Sequence, residues 1–179
     1  MLDYEKLKEE GKNCGFTHVA PLSAATLEPR MEVRGMCEQN TCHMYGSNWC
    51  CPPGVGTLEE CTARIRRYRE GILVQTVGQL EDSMDVETMM ETEEAHKTYV
   101  DRMRQLLEEE YGRILTLGSG TCTRCKKCAY PDKPCRFPEN SFGSMEAYGI
   151  VVSDACKAND LPYYYGPCTI AYTAAFLLV

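Results

Sequence analysis

Apolar residues recur along the chain both at helical spacing and in short continuous runs, and the change between the two patterns predicts helices and strands. Residues 3–13 are amphipathic at helical spacing and lead to Gly15, which predicts a short helix with a glycine stop. The runs at 17–22, 72–77 and 114–117 predict strands. The last run, 170–179, is continuously apolar, which predicts a strand in the middle of the sheet.

Three further helices are predicted between these strands. Thr57-Leu58-Glu59-Glu60 forms a capping box, and the helix that it opens is expected to run to about Glu70 and stop at Gly71. Residues 150–159 predict a shorter helix. Residues 85–111 predict the longest helix, which ends at Gly112 and has one largely apolar face, made of Met89, His96, Tyr99, Val100, Met103, Leu106 and Leu107.

Strands that alternate with helices are typical of an α/β or α+β sandwich, here with a mixed sheet of about four strands flanked by helices. Two segments rich in cysteine, 35–61 and 118–143, interrupt this pattern as long irregular loops. Loops of that length are uncommon unless something holds them, and a bound metal would do so. We find no repeat or linker, so we expect one metal-binding domain over residues 1–179.

Composition and charge narrow the function classes. The chain has 179 residues, 12 of them cysteine, and a net charge of −7, which argues against nucleic-acid binding. The first ten residues are charged and carry no signal-peptide core, and no apolar stretch reaches the ~18 residues that span a bilayer. We therefore expect a cytoplasmic protein without a membrane partner. Thiols stay reduced in that compartment, which favours metal ligation over disulfides.

The second cysteine set is the more informative one. Cys122, Cys125 and Cys128 are spaced three residues apart, so one short loop presents three thiolates to different irons of a 4Fe–4S cluster. A zinc site more often takes two cysteines from each of two C-x-x-C knuckles, so the spacing favours iron–sulfur over zinc. Cys135 supplies a fourth thiolate, but six residues separate it from Cys128 and Pro134 precedes it. It can therefore serve this cluster or a neighbouring one.

The first set consists of Cys37, Cys42, the Cys50-Cys51 pair and Cys61. Cys51 is the better ligand of the pair, because the turn made by the following Pro-Pro-Gly presents it. Cys61 lies on the apolar face of its helix and is either a fourth ligand or a buried free cysteine. The three remaining cysteines have apolar neighbours and are expected to be small core residues: Cys14, Cys156 and Cys168.

The other polar residues give weaker evidence about function. The cations around the second set either offset cluster charge and dock an acidic electron-transfer partner, or form a solvated loop: Arg124, Lys126, Lys127, Lys133 and Arg136. His43 is the histidine nearest to a cysteine set, whereas His96 is expected in the core. No cysteine has a recognisable base and orienting group, and there is no phosphate loop or dinucleotide fingerprint. A nicotinamide or flavin cofactor is thus unsupported.

Both sets lie within longer signatures. The first runs Cys37-x4-Cys42-x2-Tyr45-Gly46-Ser47-Asn48-Trp49-Cys50-Cys51-Pro52-Pro53-Gly54. The second runs from Leu117-Gly118-Ser119-Gly120-Thr121 through the cysteine loop and Pro134-Cys135-Arg136 to Ser144-Met145-Glu146-Ala147-x-Gly149-Ile150. Together they resemble the paired signatures of an uncharacterised family of predicted metal-binding proteins, found mostly in anaerobes. The resemblance covers most of the chain.

The resemblance implies a cysteine-ligated metal but supplies no reaction. It favours Cys51 over Cys50 and raises Cys61 as the fourth ligand of the first set. Where the family usually has histidine after Pro-Cys-Arg, this chain has Phe137, so a ligand role for that ring is absent here.

The sequence thus predicts an iron–sulfur protein with one or two 4Fe–4S clusters, acting in electron transfer or redox chemistry of an anaerobe with a possible redox partner protein. One alternative is a zinc-stabilised structural or regulatory module, since two sets of four cysteines also satisfy zinc. Another is an enzyme whose first cluster, held by Cys37, Cys42 and Cys51, keeps an open iron. We also expect the two sets to meet. The predicted ligands are Cys37, Cys42, Cys51, Cys61, Cys122, Cys125, Cys128 and Cys135.

Overall fold

A computed structural model describes residues 2–179 of the chain. In this range the chain forms five α-helices, which are α1 (Tyr4–Cys14), α2 (Met31–Glu38), α3 (Leu58–Ile65), α4 (Val86–Tyr111) and α5 (Val152–Ala158). It also forms four strands, which are β1 (His18–Ser23), β2 (Glu70–Gln79), β3 (Leu115–Leu117) and β4 (Thr169–Leu177).

The strands form one sheet in the order β1-β2-β4-β3, and all three pairs of neighbours are antiparallel. β2 and β4 share the longest register, from Gly71 opposite Leu177 to Gln79 opposite Thr169, and they occupy the centre. The central position predicted for the last strand is confirmed. The sheet is antiparallel rather than mixed, so the fold belongs to the α+β class of the two alternatives.

The sheet separates two apolar layers, because successive strand residues point to opposite faces. On one face Ile72, Val74 and Phe176 pack with residues of α1 and α4 such as Leu7 and Met103. On the other face the core extends beyond helices to the loops, and it joins Leu73, Ala175 and Leu177 to Val55, Cys61, Ile65, Met145, Tyr148 and Cys156. The cysteine-rich segments therefore adjoin the second face.

Local sequence explains most helix boundaries. The capping box at Thr57 is present, with both reciprocal hydrogen bonds. Gly15 stops α1 in the left-handed conformation. The prediction that α3 reaches Glu70 is wrong, because α3 ends at Ile65 and Glu70 already belongs to β2. The amides of Arg69 and Glu70 donate to the carbonyl of Val179. These residues therefore pair with the segment just after β4 instead of continuing the helix.

Helix α2 was not predicted. It has eight residues, no side chain caps its first turn, and it contains Gly35. Only Val33 and Arg34 of this helix are buried, which leaves too short an apolar stripe for its period to be visible. Its last turn carries Cys37, so one predicted ligand lies on a helix rather than a loop.

The second cysteine loop is closed at its base. Gly118, just after β3, forms an isolated parallel bridge with Ser144. Its amide donates to the carbonyl of Gly143 over 2.9 Å, and its own carbonyl accepts from the amide of Met145 over 3.1 Å. The ends of the loop are thereby fixed at the edge of the sheet.

In the described part of the chain, no helix combines the length and the apolar character needed to cross a bilayer.

Candidate metal centre

Three thiols of the first set come together. Cys37 stands on the last turn of α2, Cys42 is exposed in the turn that follows, and Cys51 is half-buried in the next loop. Burial raises the pKa of the Cys37 thiol, the nearby Arg34 guanidinium opposes that shift, and Cys42 and Cys51 add to it. The Cys42 and Cys51 thiols therefore lie near enough to Cys37 for their charge to act on it.

Asn48 organises the loop that carries the adjacent cysteines. Its side chain is buried, and its Oδ1 accepts from the amides of Cys50 at 2.9 Å and Cys51 at 3.0 Å. Its Nδ2 donates to Thr121 Oγ1 on the second loop at 3.3 Å. One amide side chain thus sets the Cys50-Cys51 turn and fastens it to the other cysteine set.

The two sets meet, as we expected. Cys51 Sγ lies 3.4 Å from Thr121 Oγ1. Cys50 and Cys122 lie near each other, and their interaction raises the pKa of Cys50 and lowers that of Cys122. Cys135 lies near enough to Cys50 for its charge to raise the pKa of Cys50 as well. The first and second sets therefore share one boundary.

Hydroxyl groups lie where the two cysteine sets meet. Ser141 Oγ lies 3.9 Å from Cys122 Sγ and 3.6 Å from Cys135 Sγ. A backbone amide at Arg124 and the Arg124 guanidinium also lower the pKa of Cys122. Hydrogen bonds and positive charge of this kind stabilise thiolate and tune the potential of a bound cluster. Ser141 was not predicted, because a lone serine outside the cysteine run carries no signal in sequence.

Cys50 is the residue that sequence reasoning undervalued. We gave it no ligand role, yet it is buried at the contact between the loops. The available signal was its adjacency to Cys51, since adjacent cysteines rarely point at the same metal. Two adjacent cysteines can therefore face two different sets, and in this fold Cys51 neighbours Cys37 while Cys50 neighbours Cys122.

Cys61 lies apart from the other predicted ligands. It is fully buried in α3 and belongs to the core beneath the sheet. Its Sγ is 3.8 Å from Arg34 Nη1, and burial raises the pKa of its thiol against the effects of Arg64 and Arg34. No cysteine is among the groups that shift its pKa. Its role as a fourth ligand stays a prediction.

Arg34 is a buried cation that the sequence did not indicate. It is 8% exposed, and it donates from Nη2 to the carbonyl of Gly56 at 2.8 Å and from Nη1 to that of Ala147 at 3.2 Å. It thereby ties α2 to the base of α3 and to the segment after the second loop. Its positive charge lies between Cys37 and Cys61.

The rest of the second set lies on irregular backbone. Cys125 and Cys128 are half-buried, and Cys135 is also half-buried. Of the surrounding cations, Arg124 pairs with Asp101 and donates to the carbonyl of Asn140 at 2.9 Å, and Arg136 donates to the carbonyl of Lys127. Lys126, Lys127 and Lys133 are exposed. The basic surface next to this set is therefore made by lysines.

The cysteines outside the two sets are mostly structural. Cys14 is buried against Met103, with 3.8 Å between the sulfurs, and Cys156 is buried and accepts from Gln75 Nε2 at 3.6 Å. The prediction of a core position is wrong for Cys168, which is half-buried and has a φ of 55°. All twelve cysteines are free thiols.

A single preformed ion site is not visible. Within residues 2–179 no group of three or more His, Cys, Asp or Glu side chains is arranged to hold a metal ion. The fold brings the thiols to one region without gathering them around one point. The chemistry of the donors nevertheless fits a metal, since soft thiolates suit iron–sulfur clusters and zinc. His43 is exposed and His96 lies in the core, as expected.

Comparison with known proteins agrees with this chemistry. A family model described as "predicted metal-binding protein" (DUF2284) matches residues 20–179. The chain belongs to this family. No curated protein and no solved structure matches it. The family match covers α2, both cysteine sets and the sheet from Ala20 onward, so every predicted ligand lies within the matched residues.

Proposed function

We propose that this DUF2284 protein is a cytosolic iron–sulfur protein that binds one or two 4Fe–4S clusters and serves electron transfer. The observation that supports it is the meeting of the two cysteine sets through the Cys50–Cys122 and Cys51–Thr121 contacts. Adjacent clusters suit an electron relay, whereas two metal sites that only stabilise separate loops need not touch. The proposed ligands are Cys37, Cys42, Cys51 and Cys61 for the first set and Cys122, Cys125, Cys128 and Cys135 for the second.

The chain's own residues would act on the thiolates. A 4Fe–4S cluster supplies one-electron redox chemistry when bound. Ser141 and Thr121 place hydroxyl groups beside cysteine sulfurs, and the Cys50 thiol lowers the pKa of Cys122. Such contacts hold a thiolate in position and partly neutralise its charge. The lysines 126, 127 and 133 offer an exposed positive surface for an acidic redox partner.

Anaerobic purification with iron and sulfide analysis tests the proposal. We expect brown protein with about four or eight irons per chain and an equal amount of sulfide, as for thiolate-held cubanes. Mössbauer spectra identify the cluster type, and electron paramagnetic resonance of the reduced protein shows whether two centres couple. Colourless protein with stoichiometric zinc, isolated under the same exclusion of oxygen, would refute it.

A zinc module is the second candidate, and one observation favours it. Cys50 and Cys122 belong to different loops and shift each other's pKa, so the fold brings thiols from two separate segments together. A tetrahedral zinc ion commonly takes its ligands from two such segments. Zinc bound in place of iron, with loss on Cys50→Ala, would support this candidate.

An enzyme with an open iron is the third candidate. Its support is the position of Cys61, which is buried against Arg34 and has no cysteine among the groups that shift its pKa. Without it the first set has three thiols, and an iron lacking a cysteine can accept a substrate.

A further inference from the structure

A cavity of about 340 Å³ opens beside Cys50, between the end of α3, the last turns of α4 and the second cysteine loop. Its size is at the lower end of the range for small-molecule sites, roughly 300–1,000 Å³. Its wall is mainly polar and holds two arginines, Arg64 and Arg104, and two glutamates, Glu108 and Glu139, of which Glu108 pairs with Arg104. The other residues used below are Trp49, Thr116 and Tyr148.

Arg64 is a cation with unused donors. It is half-buried, and its Nη1 donates to the carbonyl of Val55 at 2.7 Å and to the hydroxyl of Tyr148 at 3.2 Å. No carboxylate forms an ion pair with it in the part of the chain that the structure describes. A guanidinium has five N–H donors, so the donors on Nη2 and Nε of Arg64 remain available.

Arg104 and Thr116 add polar groups that the protein does not pair. Each is 5% exposed. Arg104 bonds Glu108 and Asn140 through its terminal nitrogens, but its Nε has no partner among the described residues, and neither has Thr116 Oγ1. Buried polar groups in folded proteins are nearly always hydrogen-bonded. The wall of this cavity therefore contains buried polar groups that have no hydrogen-bond partner among the described residues.

We propose that this cavity binds a small organic anion, whose carboxylate or phosphoryl oxygens take the free edge of the Arg64 guanidinium. Arginine suits such groups because its planar fork matches two oxygens at once. Arg104, whose charge is paired with Glu108, adds an Nε group that has no partner among the described residues. The site goes beyond the proposed function, and its occupation requires no cluster. Its place beside Cys50 brings the bound anion to the edge of the cysteine centre.

A competing explanation is that the two arginines only offset thiolate charge. Arg64 lowers the pKa of the Cys61 thiol, which shows that its field reaches a cysteine. In that case removal of Arg64 would alter metal retention, and no anion would bind the unmodified protein. The two explanations therefore differ in a measurement on the wild-type chain.

Trp49 provides the readout, since it lines the cavity and is the chain's only tryptophan. The protein as isolated anaerobically is titrated with acetate, inorganic phosphate and acetamide at constant ionic strength, with fluorescence and calorimetry. Acetamide has the shape of acetate without its charge. We expect saturable binding of at least one anion and none of acetamide, and the better anion identifies the ligand's head group. No saturable binding, or equal binding of acetamide, overturns the proposal.

A matched pair of variants locates the site. Arg64→Gln should weaken anion binding about 10–100-fold, as expected for loss of charged hydrogen bonds. Arg67→Gln, an exposed position on the turn after α3, should leave it unchanged. Equal weakening in both variants overturns the proposal. Because the wild-type titration uses no variant and does not depend on iron content, its result stands whether or not the iron–sulfur function is correct.

Discussion

Asn48 Nδ2 and Thr121 Oγ1 lie 3.3 Å apart, which joins the two cysteine loops through one hydrogen bond. The same asparagine also accepts from the amides of Cys50 and Cys51. A side chain that holds both its own turn and a remote loop should contribute more than an average contact.

Asn48→Ala should therefore lower the free energy of unfolding by about 2–4 kcal/mol, because two buried amides lose their acceptor as the bond to Thr121 is lost. Denaturant unfolding under anaerobic conditions measures it. Thr121→Val, which removes the bond to Asn48 and the contact with Cys51 Sγ but keeps both amide contacts of Asn48, should cost about 1 kcal/mol. Equal losses in the two variants would show that the amide contacts contribute nothing.

Cys61→Ala should lose about half of the iron of a two-cluster protein, because the first set would keep only three thiolates. The thiol is fully buried beside Arg34, so unchanged iron content would instead mean that Cys61 is a core residue and that the first set has three thiols. Cys156→Ala is the control, because that thiol is equally buried and lies in the same core. Iron and sulfide analysis of both variants decides the point. If Cys61→Ala alone loses about half of the iron, Cys61 is the fourth ligand.

His96 should make the fold sensitive to acid. Burial, with a smaller effect of Lys97, lowers its pKa to about 3, and its Nδ1 is 2.8 Å from Thr76 Oγ1. The unfolded chain takes up this proton near pH 6.5, so the stabilisation is complete above that value and is lost as pH falls toward 3. The loss has a limiting slope of about 1.4 kcal/mol per pH unit.

Unfolding free energies of wild type and His96→Asn, measured between pH 4 and 7, test this expectation. The variant should show a shallower pH dependence by up to that slope. His43→Asn, at an exposed position, serves as the control and should follow the wild type. A wild-type slope in His96→Asn would refute the assignment.

Gly54→Ala should weaken metal retention. A Cβ there would stand 2.5 Å from the carbonyl oxygen of Asn48 and 3.1 Å from Trp49 Cα, so the Cys50-Cys51 turn has to shift. Gly35→Ala is the matched control, because a Cβ at that position meets nothing within 4 Å. In α2 it should stabilise the helix by about 0.5–1 kcal/mol. Metal content after dialysis against a chelator compares the two; equal retention contradicts the expectation.

The elements that the sequence predicted are those with strong local determinants. The capping box at Thr57, the glycine stop at Gly15 and the long apolar stripe of α4 each act within a few residues. The end of α3 and the existence of α2 depend on remote partners, namely the carbonyl of Val179 and the carbonyls that Arg34 reaches. Tertiary contacts override propensity at such places.

The residues of the candidate centre also fall into two groups: those that local sequence indicates and those that depend on remote contacts. The spacing of Cys122, Cys125 and Cys128 indicates ligands directly, because one loop supplies them. The roles of Cys50 and Ser141 arise only when residues far apart in sequence come together. Likewise Arg64 turns inward to Val55 and Tyr148, whereas Arg66 and Arg67 are exposed. No local pattern distinguishes it from its exposed neighbours.

The closure of the centre by contacts between its two loops also sets the order of events during synthesis. α3, β2, α4 and β3 all lie between Cys51 and Cys122 in the chain, so the ribosome must release most of the sheet before the second set reaches the first. Bringing such distant segments together costs chain entropy that only a nearly complete core repays. A metal or cluster with ligands from both loops can therefore be completed only after Cys135 has been synthesised, and a nascent chain paused before Cys135 would carry its earlier thiols without the full ligand set.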